Sequence, residues 1–160
     1  MNLLAATAVI SAALGCAVVG GIFFAFSNFI MKALARLSSA EGIAAMQSVN
    51  VTVLNKWFLG VFTGTALVSL LLAGYAIANW STPFAPWLLG GSVAYVVGCW
   101  LLTIVGNVPL NNTLADTALH GSESTATWEH YLKRWTALNS QRALGSVVAA
   151  FLFIIALMLG

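Results

Sequence analysis

The sequence predicts an all-α, polytopic membrane protein: an antiparallel four-helix transmembrane bundle with amphipathic interfacial helices in its two cytoplasmic loops. Two observations predict it. Hydrophobic residues make up 61% of the chain and charged residues 6%, against about 25% charged in a soluble domain. The apolar residues fall into four long runs, and the charges lie between the runs and not deep within them. No soluble fold hides that much apolar surface. With no internal repeat, linker or low-complexity tract, one domain over residues 1–160 is expected.

A hydrocarbon core about 30 Å thick takes roughly 20 apolar residues of helix. Leu3 to Met31 is the first such stretch. No basic residue precedes it and no cleavage-like triplet of small residues follows, so it reads as a retained span and not as a signal peptide. Trp57 to Ala78, Pro86 to Val105 and Leu144 to Leu159 are the others, the last short but adequate.

Lys32, Arg36 and Lys56 lie between spans one and two, and Lys133, Arg134 and Arg142 between spans three and four. The termini and the Asn79 to Ala85 turn carry no basic residue. Positive residues stay on the cytoplasmic side, so both long loops are expected in the cytoplasm and both termini outside an inner, cytoplasmic membrane. That asymmetry accounts for the net charge of +2 and leaves no reason to expect nucleic acid as a partner.

Small residues recur at four-residue spacing, as helices that approach closely in lipid require: Ala13, Ala17, Gly21 and Ala25; Gly60 and Gly64; Gly90, Ala94 and Gly98; Gly145 and Ala149. Packing within one monomer is expected, with a homo-oligomer as the alternative. Cys16 and Cys99 fall inside spans, away from any metal-ligand spacing, and read as buried free thiols.

The loops carry the polar chemistry. Ser39 to Trp57 reads as an interfacial helix with Met46, Val49, Asn50, Val53 and Trp57 on one stripe. In the second loop Trp128, Tyr131, Leu132, Trp135, Asn139 and Arg142 share a stripe if the helix runs unbroken into span four. An arginine there either faces the bundle interior and is paired, or snorkels to headgroups. Gly106 and Pro109 bracket the exit of span three, so the backbone from Gly106 to Asn112 is not expected to be continuous helix. Asn50, Asn107, Asn111, Asn139 and Arg142 then form a polar cluster at the cytoplasmic end of the bundle, unless the asparagines merely cap helix ends.

At these residues the chain resembles the anthrone oxygenase-like family of four-helix membrane proteins. The likeness rests on Gly20-Gly21-Ile22-Phe23-Phe24-Ala25-Phe26 leading to Met31 and Leu34, on Met46-Gln47-Ser48-Val49-Asn50, and on Asn107-Val108-Pro109-Leu110-Asn111-Asn112. It continues with Trp128, Tyr131, Trp135, Asn139 and Arg142. The resemblance implies a membrane-bound oxygenase that converts the activated methylene of a hydrophobic polycyclic anthrone to a quinone carbonyl with molecular oxygen and no cofactor.

That chemistry needs an enolate held while it gives an electron to oxygen. Arg142 with Asn50, Asn107 and Asn139 are the candidate catalytic donors, and Asn111, Trp128, Tyr131 and Trp135 the candidate substrate-binding residues. A general base is missing: His130 lies on the opposite side of the stripe and His120 in a polar loop. No span contains a histidine, so a membrane-embedded bis-histidine haem is unsupported, while haem or metal at His120 or His130 stays an open alternative. The absence of any Asp, Glu or Lys within a span disfavours proton-coupled transport. The competing reading is a non-enzymatic membrane subunit that docks a protein partner through the aromatic stripe.

Overall fold

A computed structural model describes residues 1–119 and 121–160. Five helices account for nearly all of the described chain: α1 (Leu3–Leu34), α2 (Ser39–Thr52), α3 (Lys56–Ala78), α4 (Ala85–Ala115) and α5 (Ser122–Met158). Among the described residues no strand is present. All but α2 are long and apolar enough to cross a membrane, and they pack as a ring in which α1 meets α3 and α5, and α4 meets α3 and α5. The chain is a four-helix membrane bundle. The amino group of Met1 donates to the Gly160 carbonyl at 2.9 Å, so both chain ends meet at one end of it.

α5 has 37 residues and so runs about 55 Å, well beyond the hydrocarbon thickness. Its length leaves the first half free to extend past the bilayer, and α2 and the end of α4 pack against α5. That is the unbroken helix the stripe requires. Arg142 lies 16 residues before the end of α5, about 24 Å along the axis, which puts it just inside the boundary on the basic-loop side.

Helix ends are tied locally. Asn2 caps α1 through the Ala5 amide at 2.9 Å, and Ser38 with Glu41 forms a reciprocal capping box at the start of α2. Hydrogen bonding to Ser38 holds the Glu41 carboxyl below its ordinary range. Asn55 accepts from the amides of Trp57 and Phe58 at 3.0 and 3.1 Å and starts α3. This corrects the interfacial helix expected over Ser39 to Trp57: the Asn55 cap ends the α2 register, and Trp57 is an exposed residue of α3.

The expected break after Gly106 is also corrected. α4 continues helically through Pro109, because its backbone widens into a π-turn over Thr103–Asn107 in which the Val108 amide donates to the Thr103 carbonyl. A π-turn ahead of a proline removes the clash its ring makes with an α-helical carbonyl. Two more π-turns occur, at Phe26–Ile30 in α1 and Val96–Leu101 in α4.

The core contains Val9, Ala12, Cys16, Val19 and Phe23 of α1 with Phe62, Leu88, Tyr95, Cys99 and Phe153. The small-residue stripes are right for one pair of helices only. A Cβ on Gly145 would stand 2.9 Å from the carbonyl carbon and oxygen of Gly98, so α4 and α5 touch backbone to backbone. Ala17 and Gly21 are exposed, and Gly21, Gly60 and Gly64 have nothing within 4 Å of an added Cβ. Where every face of a helix is apolar, spacing of small residues does not say which face packs.

Candidate functional site

Two of the π-turns face α5 where its stripe turns polar. The turn in α1 brings Ser27 to Asn139, and the turn in α4 brings Thr103 to Arg142 and Asn107 to Trp135. Single π-turns concentrate at functional sites because they re-aim side chains without ending a helix.

Arg142 is turned inward and is 3% exposed. Its Nη2 donates to Asn139 Oδ1 at 2.7 Å and its Nη1 to Thr103 Oγ1 at 3.2 Å. The guanidinium carbon lies 4.1 Å from the ring centroid of Phe23 and 5.2 Å from that of Trp135. Such contacts are worth up to about 2 kcal/mol each when desolvated. The chain's acidic residues, Glu41, Asp116, Glu123 and Glu129, are all exposed. Among the described residues Arg142 thus has hydrogen-bond and ring partners but no counter-charge, and its Nε is buried with no partner.

Asn139 orients that guanidinium. Its Nδ2 donates to the Phe23 carbonyl at 2.6 Å and to Ser27 Oγ at 2.7 Å, which fixes the amide so that Oδ1 points at Arg142. Asn107 is fully buried; its Nδ2 donates to the Trp135 carbonyl at 3.2 Å, and its Oδ1 has no partner.

A second cluster lies farther from the membrane. Asn111 Oδ1 accepts from Tyr131 Oη and from Trp135 Nε1, both at 2.8 Å, and Asn50 Nδ2 reaches Tyr131 Oη at 3.4 Å. Trp128, Tyr131 and Trp135 stack on one another, with centroids 5.8 and 5.9 Å apart and planes 14° and 22° apart. Tyr131 therefore has a ring on each face. Phe26 leans on the Trp135 ring at 5.8 Å. Gly42 of α2 lies so close to Trp128 that an added Cβ would be 2.5 Å from its Cζ2. Gln47 Nε2 donates to the carbonyls of Leu114, Ala115 and Thr117 at 2.8, 3.4 and 3.3 Å and ties α2 to the end of α4.

All eight residues singled out in the sequence come together in one region, but in two layers joined by Trp135. Arg142, Asn139 and Asn107 form the layer in the bundle; Asn50, Asn111, Tyr131 and Trp128 form the layer outside it. The aromatic stripe is covered by the chain's own α2 and the end of α4, with Trp128, Tyr131 and Trp135 at most 5% exposed. These three rings are packed inside the chain and are not on its surface.

Phe23, Ser27 and Thr103 complete the inner layer and were not among the sequence candidates. Ser27 and Thr103 had a signal, as lone hydroxyls near the polar ends of apolar runs; Phe23 stands in the stretch Gly20 to Phe26 that carries the resemblance, but its residue type does not mark it for a role that lies in its carbonyl and in the ring face it offers. His130 is exposed and lies 12 residues before Arg142, about 18 Å along α5. His120 lies outside the described residues. Among the described residues no group of three or more His, Cys, Asp or Glu side chains is placed to hold a metal ion.

A family model described as Anthrone oxygenase matches residues 56–152. The match takes in α3, α4 and most of α5, hence Thr103, Asn107, Asn111 and the stripe from Trp128 to Arg142. No curated protein and no solved structure matches the chain.

Proposed function

The chain belongs to the anthrone oxygenase family, and from that premise we propose that it binds a hydrophobic, hydroxylated polycyclic ketone at Arg142 and oxidises its activated methylene with molecular oxygen. The overall change takes one methylene and one O2 to one carbonyl and one water. The methylene first loses a proton to give an enolate, the enolate passes an electron to oxygen, and the resulting carbon radical and superoxide combine to a peroxide anion, which takes back one proton as a hydroperoxide and then loses water to leave the carbonyl.

The observation that carries this reading is the buried, uncompensated guanidinium of Arg142. Burying a charge away from water costs several kcal/mol unless it is paired, and hydrogen bonds with two flanking rings offset only part of that. An enolate supplies the missing negative charge. The unpartnered Nε donor of Arg142 and the unpartnered Oδ1 acceptor of Asn107 suit a ligand that presents an oxyanion and a hydroxyl together. Held by a preorganised donor in a dry site, the enolate is stabilised relative to the ketone, which lowers the barrier to proton loss.

In this reading Arg142 and Asn107 touch the substrate. Asn139 is a positioning residue for the guanidinium, and Asn50 and Asn111 position Trp135 through Tyr131 and the indole N–H. Trp135 offers an aromatic ring beside the ligand, while Trp128 and Tyr131 buttress it. No residue is assigned as general base, and the reaction as drawn uses no cofactor. Six basic residues on the loop side support a cytoplasmic position for that side and an inner-membrane location, which puts the site at the cytoplasmic leaflet.

The test is purification in detergent, an absorption spectrum, mass analysis of any co-purified small molecule, and oxygen uptake with a hydroxyanthrone. Arg142→Ala is expected to abolish ligand binding and turnover with the bundle still assembled, and Arg142→Lys to restore little, since lysine lacks the planar fork that stacks between two rings. Normal turnover by Arg142→Ala removes the site. A Soret band in the active protein overturns the cofactor-free reading.

A further inference from the structure

A cleft of about 500 Å³ opens on the side of the molecule where the π-turn of α1 faces α5. Ser27, Lys32, Glu129, Lys133, Ala137 and Ser140 are among its walls. It is wide open on its outer side, as a passage is and an enclosed binding pocket, which covers most of its ligand, is not. Its position along α5, from about half a turn to three and a half turns before Arg142, sets it at the boundary between lipid and water, where an apolar molecule with an acidic edge collects.

The cleft is shallow, and hydrogen bonds at its floor link it to the buried arginine. Ser140 Oγ donates its one proton to the Thr136 carbonyl at 2.9 Å and accepts from Ser27 Oγ at 2.9 Å across the gap between α5 and α1; the Ser27 oxygen accepts from Asn139, which in turn accepts from Arg142. One layer of hydroxyl and amide therefore separates the cleft from the guanidinium. On the α1 side that layer belongs to the π-turn Phe26–Ile30, whose Phe26 ring is the one leaning on Trp135. Lys32 and Lys133 are exposed at the cleft and complement the acidic edge of a phenol or enol, with Glu129 the single opposing charge.

We propose that this cleft is the lateral entrance through which an acidic aromatic ligand leaves the cytoplasmic leaflet and reaches Arg142, with the Ser27–Ser140 hydrogen bond as the contact that has to part. The inference rests on the Arg142 reading given above and adds the route by which such a ligand arrives.

The test is stopped-flow quenching of tryptophan fluorescence by 1,8-dihydroxyanthraquinone, with the whole protein in lipid nanodiscs. Ala137 is exposed in the cleft wall, so Ala137→Phe narrows the passage without touching the Ser27, Asn139 and Arg142 bonds. The expected result is association and dissociation both slowed by about tenfold with unchanged equilibrium affinity, as a narrowed route demands, while Arg142→Ala loses equilibrium binding. The double variant Lys32→Gln, Lys133→Gln is expected to slow association and to reduce its dependence on salt. Wild-type rates in Ala137→Phe overturn the entrance and leave the Arg142 site standing, as does a weakened affinity at an unchanged association rate. No binding to the wild type, or full binding to Arg142→Ala, sinks the Arg142 reading and the entrance with it.

Discussion

Arg142 donates to Asn139 Oδ1 at 2.7 Å from one turn farther along the same helix, and that bond sets the direction of the only charge buried in the described bundle. The amide is held in turn by the Phe23 carbonyl and Ser27 of α1, so the helix at the N-terminal end of the chain aims an arginine near the other end.

Two replacements of Asn139 separate charge from geometry. Asn139→Asp keeps an oxygen beside Arg142 and supplies the counter-charge the site lacks, at the expense of both bonds to α1. An acidic ligand then has to compete with a resident carboxylate, and its affinity is expected to fall at least about tenfold, near 1.4 kcal/mol, in a fluorescence-quenching titration. Asn139→Leu strips the partners from the Phe23 carbonyl and from Arg142 and is expected to destabilise the bundle by about 2 to 4 kcal/mol, read as a lowered melting temperature in detergent. Unchanged affinity in Asn139→Asp would mean that the guanidinium charge does not hold the ligand.

Asn111 offers a conservative rescue. Its Oδ1 receives both Tyr131 Oη and Trp135 Nε1, so Asn111→Asp retains the acceptor while Asn111→Leu leaves two buried donors unpaired, at about 1 to 3 kcal/mol each. The leucine variant is expected to shift tryptophan emission and lose near-ultraviolet circular dichroism from the Trp128, Tyr131 and Trp135 stack; the aspartate variant is expected to keep both. Equal spectra for the two variants would show that the stack is held by packing alone.

How far the site was legible follows from which residues report on themselves. The stripe from Trp128 to Arg142 is readable because α5 leaves the membrane there, polar residues reappear on its outer face, and the 3.6-residue period regains contrast. Asn107 and Asn111 are readable as amides beside a proline. The π-turn of α1 is not, since nothing in Phe26-Ser27-Asn28-Phe29-Ile30 differs from ordinary helix. Within the bilayer the period carries no sign: Ala17 and Gly21 look as suited to packing as Ala12 and Cys16, yet the first two are exposed and the last two fully buried.

That ambiguity yields a paired prediction on glycines. Gly145→Ala drives a methyl group to 2.9 Å from Gly98 backbone and 3.2 Å from the Ala94 carbonyl, and neither neighbour can swing aside. Overpacking of this kind typically costs about 1 to 3 kcal/mol, and separating α4 from α5 displaces Thr103 from Arg142, so both melting temperature and ligand affinity are expected to fall. Gly64→Ala meets nothing within 4 Å and is expected to leave both unchanged. A neutral Gly145→Ala would contradict the backbone contact between α4 and α5.

Sidedness can be read from cysteine labelling, because both native thiols are buried. Cys16 and Cys99 are 0% exposed in the bundle core, so a membrane-impermeant maleimide finds little background in intact cells. Ser81 lies exposed in the turn between α3 and α4, and Thr125 lies exposed in the part of α5 beyond the membrane. α4, 31 residues long, runs about 46 Å between them, which places the two positions on opposite faces. With the basic loops inside, Ser81→Cys is expected to label in intact cells and Thr125→Cys only after permeabilisation. The reverse pattern would put Arg142 and its cleft at the outer leaflet, where an aromatic ligand made in the cytoplasm would have to cross the bilayer before it could enter.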